Sequence, residues 1–531
     1  MALTKVTYSM IDSAPYNVKD YGATGDGTTN DTAAVQACIN AAASNGPVWI
    51  PEGTYMVNAH TIQSGQVKAG VYIPSNSRIV MDTNATLKAI ANSQDIYNVL
   101  LVYNVSNVTI ENGTLQGDRA THPITANFNG IGLRIQGATN VNVYGLTSKD
   151  MYTDGFAVVY DDLNSPYPEC QNINFFNCTA DNNYRNGASI IGCIGGSIIG
   201  GRYINSNGTA PQDGIDIEPN PDNGSGNPST VSNFVVRDVR AYGNAASGIE
   251  VYGAGTVEYV DVVGNQCYSN TTNGIFYRNA TLGSIDGNTV YSNSTQGINI
   301  ASVTQSTVNN NIVSLNGDNG IVVQNPNNQG TEGLVVDGNI LSYNGLGILV
   351  TGLTYSVSNC VVSNNYVLES KTDGININYS TNIRVDSNVV SSSSQTTDIA
   401  SNNIAINNSF NINVTNNTIR SGGGVKQPAF GVLVAASNSG CFVLNNDLTT
   451  SGRTASLSIL ATDTVVYGPK QNSAAAAFQV ISTTQGLGAP AMTTVQKNAI
   501  GSPIAGLIVF DTTLAKLCIY TGAAWQTVTS T

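Results

Sequence analysis

Residues 213–217 read Asp-Gly-Ile-Asp-Ile, and residues 247–251 read Ser-Gly-Ile-Glu-Val. This phrase, in which a Gly precedes alternating apolar positions, recurs from residue 131 to beyond residue 430, with the Gly positions about 27 residues apart. A second phrase of the form Asn-Val-x-Val lies between the copies, as at residues 107–110 and 140–143. Alternating apolar positions bounded by Gly, Asn and Asp turns predict several short strands in each repeat.

Strand sets repeated at this spacing predict an all-β parallel β-helix, a solenoid formed by a single chain. Inward-facing Ile, Val and Leu are expected to form its core. Asn side chains in the turns are expected to hydrogen-bond through their amides from one coil to the next. A leucine-rich repeat requires a helical phase, which is not visible here. A β-propeller is richer in Trp, and the chain has only two.

The composition excludes several classes of protein. The 531 residues include 21 Lys and Arg against 34 Asp and Glu, a formal net charge of −13. That balance argues against a nucleic-acid partner, which requires a basic surface. No segment approaches the ~18 apolar residues of a membrane span, and the N-terminus has no apolar signal-peptide core. Two His and scattered Cys make a metal site improbable, so we expect neither metal nor cofactor.

The N-terminal region carries the most specific signature. Residues 17–42 read NVKDYGATGDGTTNDTAAVQACINAA, and residues 48–57 read VWIPEGTYMV. Asn30 and Asp31 indicate the start of a short helix over about 33–43 that caps the first coil. Together with the repeats, these segments resemble the pectate-lyase-like right-handed β-helix superfamily, in the version found in phage tailspikes and in some bacterial epimerases and lyases. The resemblance specifies a fold more than a reaction, because the superfamily contains several chemistries and non-catalytic adhesins.

Two terminal segments favour the phage branch. Residues 1–23 resemble the short head that joins a tailspike β-helix to the virion, and residues 488–530 are similar to a β module common at the ends of phage tail proteins. We therefore expect a head at 1–15, an N-terminal cap at 16–65, a β-helix with a glycan groove at 66–469, a linker at 470–490 and a C-terminal β module at 491–531. The resemblance implies a homotrimer in the virion tail that contacts tail or baseplate proteins and a host O-antigen, capsule or exopolysaccharide.

Aligning the Gly phrases identifies outward-facing neighbours on successive coils, because residues i and i+2 of a strand share a face. The column two residues after each Gly is Arg134, Ala157, Ser189, Asp216, Glu250, Phe276, Asn299 and Val322. The next outward column is Gln136, Val159, Ile191, Glu218, Tyr252 and Arg278. Acidic and aromatic residues thus cluster where two coils stack.

Asp216, Glu250 and Glu218 are our candidate catalytic residues. Crowded carboxylates hold one group protonated as a general acid and leave another ionised as base or nucleophile. Glycoside hydrolysis uses such a pair. A solvated acidic strip and a calcium site are the alternatives, since Ca²⁺ also takes oxygen ligands.

A second group of residues in the same groove allows other functional interpretations. Candidates for substrate binding or alternative catalysis are Asp154, His122, Arg119, Arg185, Tyr184, Asp213, Tyr252 and Arg278. Cations with a His suit a lyase acting on an acidic sugar, although His122 also suits a structural hydrogen bond. Alginate epimerases carry Asp-Pro-His where residues 154–157 read Asp-Gly-Phe-Ala, which disfavours epimerisation. The sequence favours a tailspike that hydrolyses a host polysaccharide, with a lyase and a non-catalytic adhesin as alternatives.

Overall fold

The computed structural model describes residues 15–64, 67–124, 129–222, 226–326, 330–352, 355–468 and 489–528. The chain divides into two compact units, Met1–Asn472 and Ser473–Thr531. The predicted head at 1–15 and linker at 470–490 lie almost wholly outside the described residues. Within the described ranges, no helix is long and apolar enough to cross a membrane.

The first unit is a parallel β-solenoid, which confirms the predicted fold class. Each coil contributes one strand to each of three long parallel sheets, and the chain visits sheet 1, sheet 2 and sheet 3 in that order. Sheet 1 contains the Gly-phrase strands and sheet 2 contains the Asn-Val-x-Val strands.

The strands of sheet 1 are Val71–Tyr72, Ile96–Tyr103, Asn129–Gln136, Phe156–Val159, Ala188–Ile190, Ile215–Ile217, Ile249–Tyr252, Ile275–Arg278, Ile298–Ala301, Asn319–Gln324, Leu346–Thr351, Ile375–Asn378, Ile404–Asn407, Phe430–Val434 and Ala455–Ile459. The strands of sheet 2 are Tyr16–Asn17, Val48–Ile50, Ser77–Met81, Ser106–Glu111, Thr139–Tyr144, Cys170–Phe176, Cys193–Ile199, Thr230–Arg237, Thr256–Val263, Ser284–Asp286, Thr307–Asn309, Val335–Asp337, Val361–Ser363, Arg384–Asp386, Asn413–Thr415, Phe442–Leu444 and Val465–Tyr467. The strands of sheet 3 are Asp26–Asn30, Gly53–Val57, Ala85–Ala89, Thr114–Gln116, Thr147–Lys149, Thr179–Asp181, Arg202–Ile204, Arg240–Tyr242, Gln266–Tyr268, Thr289–Tyr291, Ile312–Ser314, Ile340–Ser342, Tyr366–Leu368, Val389–Ser391 and Thr418–Arg420. Two small sheets complete the unit, formed by Thr331–Glu332, Val357–Ser358 and Ser380–Thr381, and by the antiparallel pair Ile62–Ser64 and Val67–Lys68.

The Gly of the repeated phrase is required by the stacking of the coils. A Cβ on Gly214 would lie 2.6 Å from the carbonyl oxygen of Gly248, and a Cβ on Gly248 would lie 2.7 Å from that of Gly274. Any side chain there would push neighbouring coils apart. The apolar residues that follow, such as Ile215 and Ile217, are fully buried in one continuous core.

Asn side chains form two internal ladders along the solenoid. One runs through Asn244, Asn270, Asn293, Asn316 and Asn344. The other runs through Asn265, Asn288, Asn311, Asn339, Asn365, Asn388, Asn417 and Asn446. Each step is an amide-to-amide hydrogen bond of 2.9–3.0 Å between adjacent coils. Because the side chains are buried, the ladders satisfy polar groups that would otherwise destabilise the interior.

The predicted capping helix spans Thr32–Ala42 and follows a 3₁₀ turn at Val18–Tyr21. The Asp31 side chain makes no cap to the helix, contrary to the sequence pattern. Its carboxylate instead accepts hydrogen bonds from Thr24 N at 2.8 Å and Gly25 N at 3.1 Å. Asn30 caps the first turn by accepting from Thr32 N and Oγ1 at 3.1 and 2.6 Å.

The second unit contains the strands Ala491–Met492, Ile508–Asp511, Lys516–Tyr520 and Trp525–Thr527 and the short helix Thr494–Asn498. A buried ion pair joins Lys497 Nζ to Asp511 at 2.7 Å. The unit also exposes large apolar side chains, including Val495 (78% exposed) and Ile504 (74% exposed).

Candidate active site

The candidate site lies on the outward face of sheet 1, where the register aligns the residues as the Gly phrases predict. Ser189 pairs with Asp216, Asp216 with Glu250, and Glu250 with Phe276 on consecutive strands. Adjacent strands of a sheet lie about 4.8 Å apart. Asp216 and Glu250 are therefore direct neighbours on stacked coils.

The carboxylates of this site are buried, although they occupy outward positions. Asp213 is 0%, Asp216 2% and Glu250 7% exposed, whereas Glu218 is half-buried. Asp213 Oδ1 accepts a hydrogen bond from Ser247 N at 2.6 Å, but its Oδ2 has no hydrogen-bond partner of normal geometry. Since Asp213 interacts electrostatically with Glu250, the acidic group is larger than the three carboxylates first proposed for catalysis.

Burial is the main cause of the raised carboxyl pKa values at this site. Desolvation raises the pKa of Asp216 well above its ordinary value, Glu218 and Glu250 add to the rise, and Arg185 opposes it. Desolvation likewise raises the pKa of Asp213, with further contributions from Glu250 and Asp216. Burial and the neighbouring carboxylates thus both favour the protonated forms of Asp213 and Asp216.

Glu250 differs from Asp216 because a cation neutralises it directly. Arg278 donates to Glu250 Oε1 from Nε at 2.9 Å and from Nη2 at 2.5 Å. Burial raises the pKa of Glu250, while the Arg278 ion pair and hydrogen bonds counteract that rise. The Arg278 guanidinium lies 3.6 Å from the Tyr252 ring centroid and 4.7 Å from that of Phe276. Of the two paired carboxyls, Glu250 is therefore the one with a direct cationic partner, although burial keeps its pKa above the ordinary value.

Asn186 connects the acidic residues of three coils and was not among the residues predicted from the sequence. Its Nδ2 donates to Asp216 Oδ2 at 2.9 Å and to Ser189 Oγ at 3.1 Å. Its Oδ1 accepts from Asp213 N at 3.0 Å, and its own N–H donates to Asp154 Oδ1 at 3.1 Å. The residue just before the phrase Gly is the signal that locates it, because Asp154, Asn186 and Asp213 all occupy that position.

Asp154 and Arg185 form the next part of the same network. Arg185 Nη1 lies 3.2 Å from Asp154 Oδ2, and Ser189 Oγ donates to the same oxygen at 3.0 Å. Arg185 also interacts electrostatically with Asp216 and Glu218. The structure thus brings together most residues predicted for the groove: Asp154, Arg185, Asp213, Asp216, Glu218, Glu250, Tyr252 and Arg278.

Of the three remaining predicted residues, His122 lies in a separate, buried group. His122 Nδ1 lies 3.0 Å from Asp118 Oδ2, and its ring stacks on Tyr152 at 3.8 Å. The His122 side chain is fully buried, which suits the structural hydrogen bond that the sequence also allowed. The second Asp118 oxygen accepts from the Tyr97 hydroxyl at 2.7 Å.

Arg119 and Tyr184 lie beside this buried group. Arg119 donates to Asn182 Oδ1 at 2.9 Å and to Asn207 Oδ1 at 2.6 Å, and its guanidinium lies 5.4 Å from the Tyr184 ring centroid. Both terminal nitrogens of Arg119 are therefore held by protein oxygens. Tyr184 in turn stacks on Tyr152 at 5.8 Å.

Two long loops, here called excursions, follow the sheet 1 strands that adjoin the site. Residues 160–169 follow Phe156–Val159, and residues 218–229 follow Ile215–Ile217. Asn220 of the second excursion donates to the Tyr160 hydroxyl of the first at 3.2 Å. Glu169 Oε1 accepts from Thr230 N at 2.9 Å, and burial raises the pKa of Glu169 to about 7.

The acidic group does not form a recognisable metal centre. Over the described ranges, no three His, Cys, Asp or Glu side chains converge as ligands for an ion. The carboxyl groups instead contact Arg and Asn side chains, which hold them in fixed positions.

Comparisons with known proteins agree with this architecture. Residues 16–72 match the family described as rhamnogalacturonase A/epimerase, pectate lyase-like, and residues 205–360 match a right-handed β-helix region. Both matches agree with the resemblance to the pectate-lyase-like β-helix superfamily that the sequence carries. Residues 465–531 match a phage tail-like trimerisation region, in agreement with the phage branch of that resemblance.

Individual relatives share only part of the β-helix. The uncharacterized protein YclG of Bacillus subtilis is 32% identical over 219 residues, covering 38% of this chain and 37% of YclG. The mannuronan C5-epimerase AlgE5 of Azotobacter vinelandii is 49% identical over 63 residues, covering 11% of this chain and 6% of the epimerase. The chain thus spans well under half the length of these relatives.

A solved tailspike shares the fold. It is a mutant tailspike protein of E. coli bacteriophage HK620 in complex with a pentasaccharide, 14% identical, with a TM-score of 0.54. The match covers 86% of this chain and 78% of the tailspike. At that identity, the likeness concerns the β-helix and not the reaction.

Proposed function

We propose that this chain is a phage tailspike that binds a host surface polysaccharide and cleaves it by glycoside hydrolysis. The single observation that carries the proposal is the register pair of Asp216 and Glu250 in unlike environments. Burial stabilises the protonated form of Asp216, and Arg278 stabilises the ionised form of Glu250. An acid and an anion side by side are what glycoside hydrolysis requires.

In the proposed reaction, Asp216 donates a proton to the glycosidic oxygen as the bond to the leaving sugar breaks. Glu250 acts on the other side of the sugar, either as base toward a water molecule or as nucleophile. Asn186 holds the acid in place through Asp216 Oδ2. Glu218 supports the protonation of Asp216 because its charge lies close to that carboxyl.

The lyase alternative has less support. It relies on His122 as base and on Arg119 as the cation that neutralises a substrate carboxylate. However, the His122 side chain is fully buried and Arg119 is held by Asn182 and Asn207. The Nδ1 atom of His122 and both terminal nitrogens of Arg119 thus already have partners within the protein.

Asp216→Asn and Glu250→Gln test the mechanism, since each keeps the shape of the side chain. Loss of a general acid or base lowers the rate by ~10²–10⁴-fold, while polymer binding is retained. Asp95→Asn and Glu258→Gln are matched controls, because both residues are exposed and lie outside the groove. Product analysis separates the three functions. New reducing ends without an unsaturated sugar indicate hydrolysis, an unsaturated terminal sugar indicates elimination, and unchanged polymer indicates an adhesin. Full activity of both site variants would contradict the assignment.

The assembly proposed with this function is a homotrimer located in the virion tail. It is supported by the match to a phage tail-like trimerisation region and by the exposed apolar residues of the C-terminal unit. The N-terminal 1–15 segment is proposed to attach to tail or baseplate proteins. Light scattering on the full chain should return three times 55.4 kDa, and Val495→Lys together with Ile504→Lys should shift it toward monomer. A wild-type monomer at micromolar concentration would contradict this assembly.

A further inference from the structure

Asp213 precedes the Gly of the repeated phrase and shares one backbone contact with three other side chains at that position. One oxygen of each side chain accepts a hydrogen bond from the N–H at the same position of the next coil. The four bonds are Asp154 Oδ1 from Asn186 N at 3.1 Å, Asn186 Oδ1 from Asp213 N at 3.0 Å, Asp213 Oδ1 from Ser247 N at 2.6 Å, and Asp373 Oδ1 from Asn402 N at 2.6 Å. Because the bond is shared, the second polar atom of each side chain occupies an equivalent place in its coil.

That second atom lies among the outward-facing residues of two coils. Asn186 shows the arrangement, because its Nδ2 donates to Ser189 Oγ at 3.1 Å on its own coil and to Asp216 Oδ2 at 2.9 Å on the next coil. In the register of sheet 1, Ser189 pairs with Asp216, and Asp216 pairs with Glu250. One coil further along, the equivalent neighbours of Asp213 Oδ2 are therefore the carboxyl groups of Asp216 and Glu250.

The two other Asp side chains of this set have donors for both of their oxygens. Asp154 Oδ2 accepts from Ser189 Oγ at 3.0 Å and from Arg185 Nη1 at 3.2 Å. Asp373 Oδ2 accepts from Asn376 Nδ2 at 2.7 Å. An ionised carboxylate only accepts hydrogen bonds, so the surroundings of both side chains suit the ionised form.

Asp213 lacks such a donor at its second oxygen. Its Oδ2 is buried without a hydrogen-bond donor among the described residues, and the Glu250 carboxyl lies in hydrogen-bonding contact with Asp213. The nearby cations Arg185 and Arg278 bond to other carboxyl groups instead. Two ionised carboxylates in contact would repel each other and neither could donate, so this contact requires a proton on one of the two groups.

The surroundings of the two carboxyl groups decide which one holds the proton. Glu250 Oε1 accepts two hydrogen bonds from Arg278, at 2.9 and 2.5 Å. Asp213 is fully buried, and the main charged groups that act on it, Glu250 and Asp216, are both acidic. Burial raises the pKa of Asp213 well above its ordinary value, and both neighbours add to that rise. The proton therefore belongs to Asp213 and the negative charge to Glu250.

We propose that Asp213 is a protonated carboxylic acid whose Oδ2 donates a hydrogen bond to Glu250 and so positions that carboxylate for cleavage. Asp213 is a positioning residue, because its side chain is fully buried and is not exposed to a substrate. The inference rests on the proposed function and gives a third carboxyl group a role of its own. Since a donor stabilises the ionised form of a carboxyl, Asp213 should keep Glu250 ionised to a lower pH than Arg278 alone would.

The pH profile of cleavage by the full-length protein tests this role. Asp213→Asn keeps the acceptor for Ser247 N and supplies an amide donor in place of the carboxyl proton. Its rate should stay within roughly threefold of wild type, and the acidic limb of the profile should not move. Asp213→Ala removes the donor, so the acidic limb should move upward by about 1–2 pH units. Asp373→Ala is the matched control, because Asp373 makes the same backbone contact on another coil, and it should leave the limb in place.

The direction of the shift distinguishes a protonated Asp213 from an ionised one. If Asp213 were ionised, both substitutions would remove a negative charge beside Glu250, and the acidic limb would move downward. A downward shift, or an unchanged limb in Asp213→Ala, would overturn the inference. Asp213→Asn alone decides the sign if Asp213→Ala does not fold.

Infrared spectroscopy tests the proton without a cleavage assay. At pH 7 the wild type should absorb at the C=O stretch of a protonated carboxyl group, and Asp213→Asn should lose part of that band. Glu250→Gln should move the Asp213 component to higher frequency, because a neutral acceptor forms a weaker hydrogen bond than a carboxylate does. An identical band in wild type and Asp213→Asn would overturn the proton, and an unmoved band in Glu250→Gln would overturn its partner. A chain that cleaves no polymer but shows both infrared changes would contradict the proposed hydrolysis and support Asp213 as the donor.

Discussion

Two regions of sheet 1 have the same strand arrangement but differ in the charge of their outward-facing side chains. We call the strands Ala188–Ile190, Ile215–Ile217 and Ile249–Tyr252 the acidic coils, and Ile298–Ala301, Asn319–Gln324 and Leu346–Thr351 the regular coils. In the regular coils the outward residues are neutral, and Gln324 donates to Asn299 at 2.8 Å. In the acidic coils the same outward column contains the buried carboxyls Asp216 and Glu250.

The turns differ between these regions as well. The ladder of Asn244, Asn270, Asn293, Asn316 and Asn344 begins in the turn before Ile249–Tyr252 and continues through the regular coils. On the coil that contains Asp216 the corresponding turn has Ser206, whose N–H donates to Asn244 Oδ1 at 3.0 Å and whose own hydroxyl has no partner. The regular coils thus pair their buried amides from coil to coil, whereas the acidic coils bury carboxyl groups at a cost in stability, which supports their role in the proposed function.

The largest expected effect concerns the pH dependence of cleavage. The proposed mechanism requires Asp216 protonated and Glu250 ionised, so activity should fall about tenfold per pH unit above the apparent pKa of the acid and similarly below that of the base. Because burial raises the pKa of Asp216, the alkaline limb should lie well above the ordinary range of an Asp. Initial rates over a pH series check this, and a flat profile between pH 4 and 9 would contradict it.

Asn186→Ala should have the second-largest effect. Because Asn186 positions the proposed acid, Asp216, through its Oδ2, the substitution should lower the cleavage rate roughly 10–100-fold. The substitution removes a donor that favours the ionised form, so the alkaline limb of the pH profile should also move upward. Asn316→Ala is the matched control, because Asn316 is an equally buried ladder residue of the regular coils. An unchanged pH profile in Asn186→Ala would show that its role is only structural.

A ladder substitution should affect stability and leave cleavage intact. Asn311 donates to Asn339 Oδ1 and to Ile285 O, both at 2.9 Å, and accepts from Asn288 N at 2.9 Å. Asn311→Ala leaves these partners without their hydrogen bonds, which lowers the free energy of unfolding by about 1–3 kcal/mol for each buried group left unsatisfied. Thermal unfolding should show the loss, and a rate within twofold of wild type is expected. A large loss of activity with an unchanged unfolding midpoint would contradict the assignment of stability to the regular coils and of cleavage to the acidic coils.

The smallest expected effect is a gain in stability from removing one buried carboxyl. The pKa of Asp213 is raised in the folded state, so its contribution to stability is present below the unfolded pKa, near 3.9, and is lost as pH rises through the folded pKa. Asp213→Asn keeps the acceptor for Ser247 N and removes this loss. Unfolding midpoints should be similar at pH 4, with the variant more stable at pH 8. A less stable variant at pH 8 would contradict the prediction.

The sequence predicted the coil register because its signal is local and repeated. A Gly that admits no Cβ and alternating apolar residues on either side fix which residues stack, and this placed Asp216 beside Glu250. The capping helix and both long C-terminal strands were also predictable, since each has its own periodicity. The C-terminal β module predicted from the sequence contains the strands Ile508–Asp511 and Lys516–Tyr520.

Only the tertiary structure decided the chemical environment of the site. Glu250 is neutralised by an arginine 28 positions away, and Asn186 reaches carboxyls of other coils. His122 is enclosed by Asp118 and Tyr152, and Asp31 turns from the helix to bond Thr24. Strand pairing depends on backbone repeats that the sequence displays. Burial and ion pairing instead depend on which long side chains meet across coils and turns, and those contacts form only when the solenoid has closed.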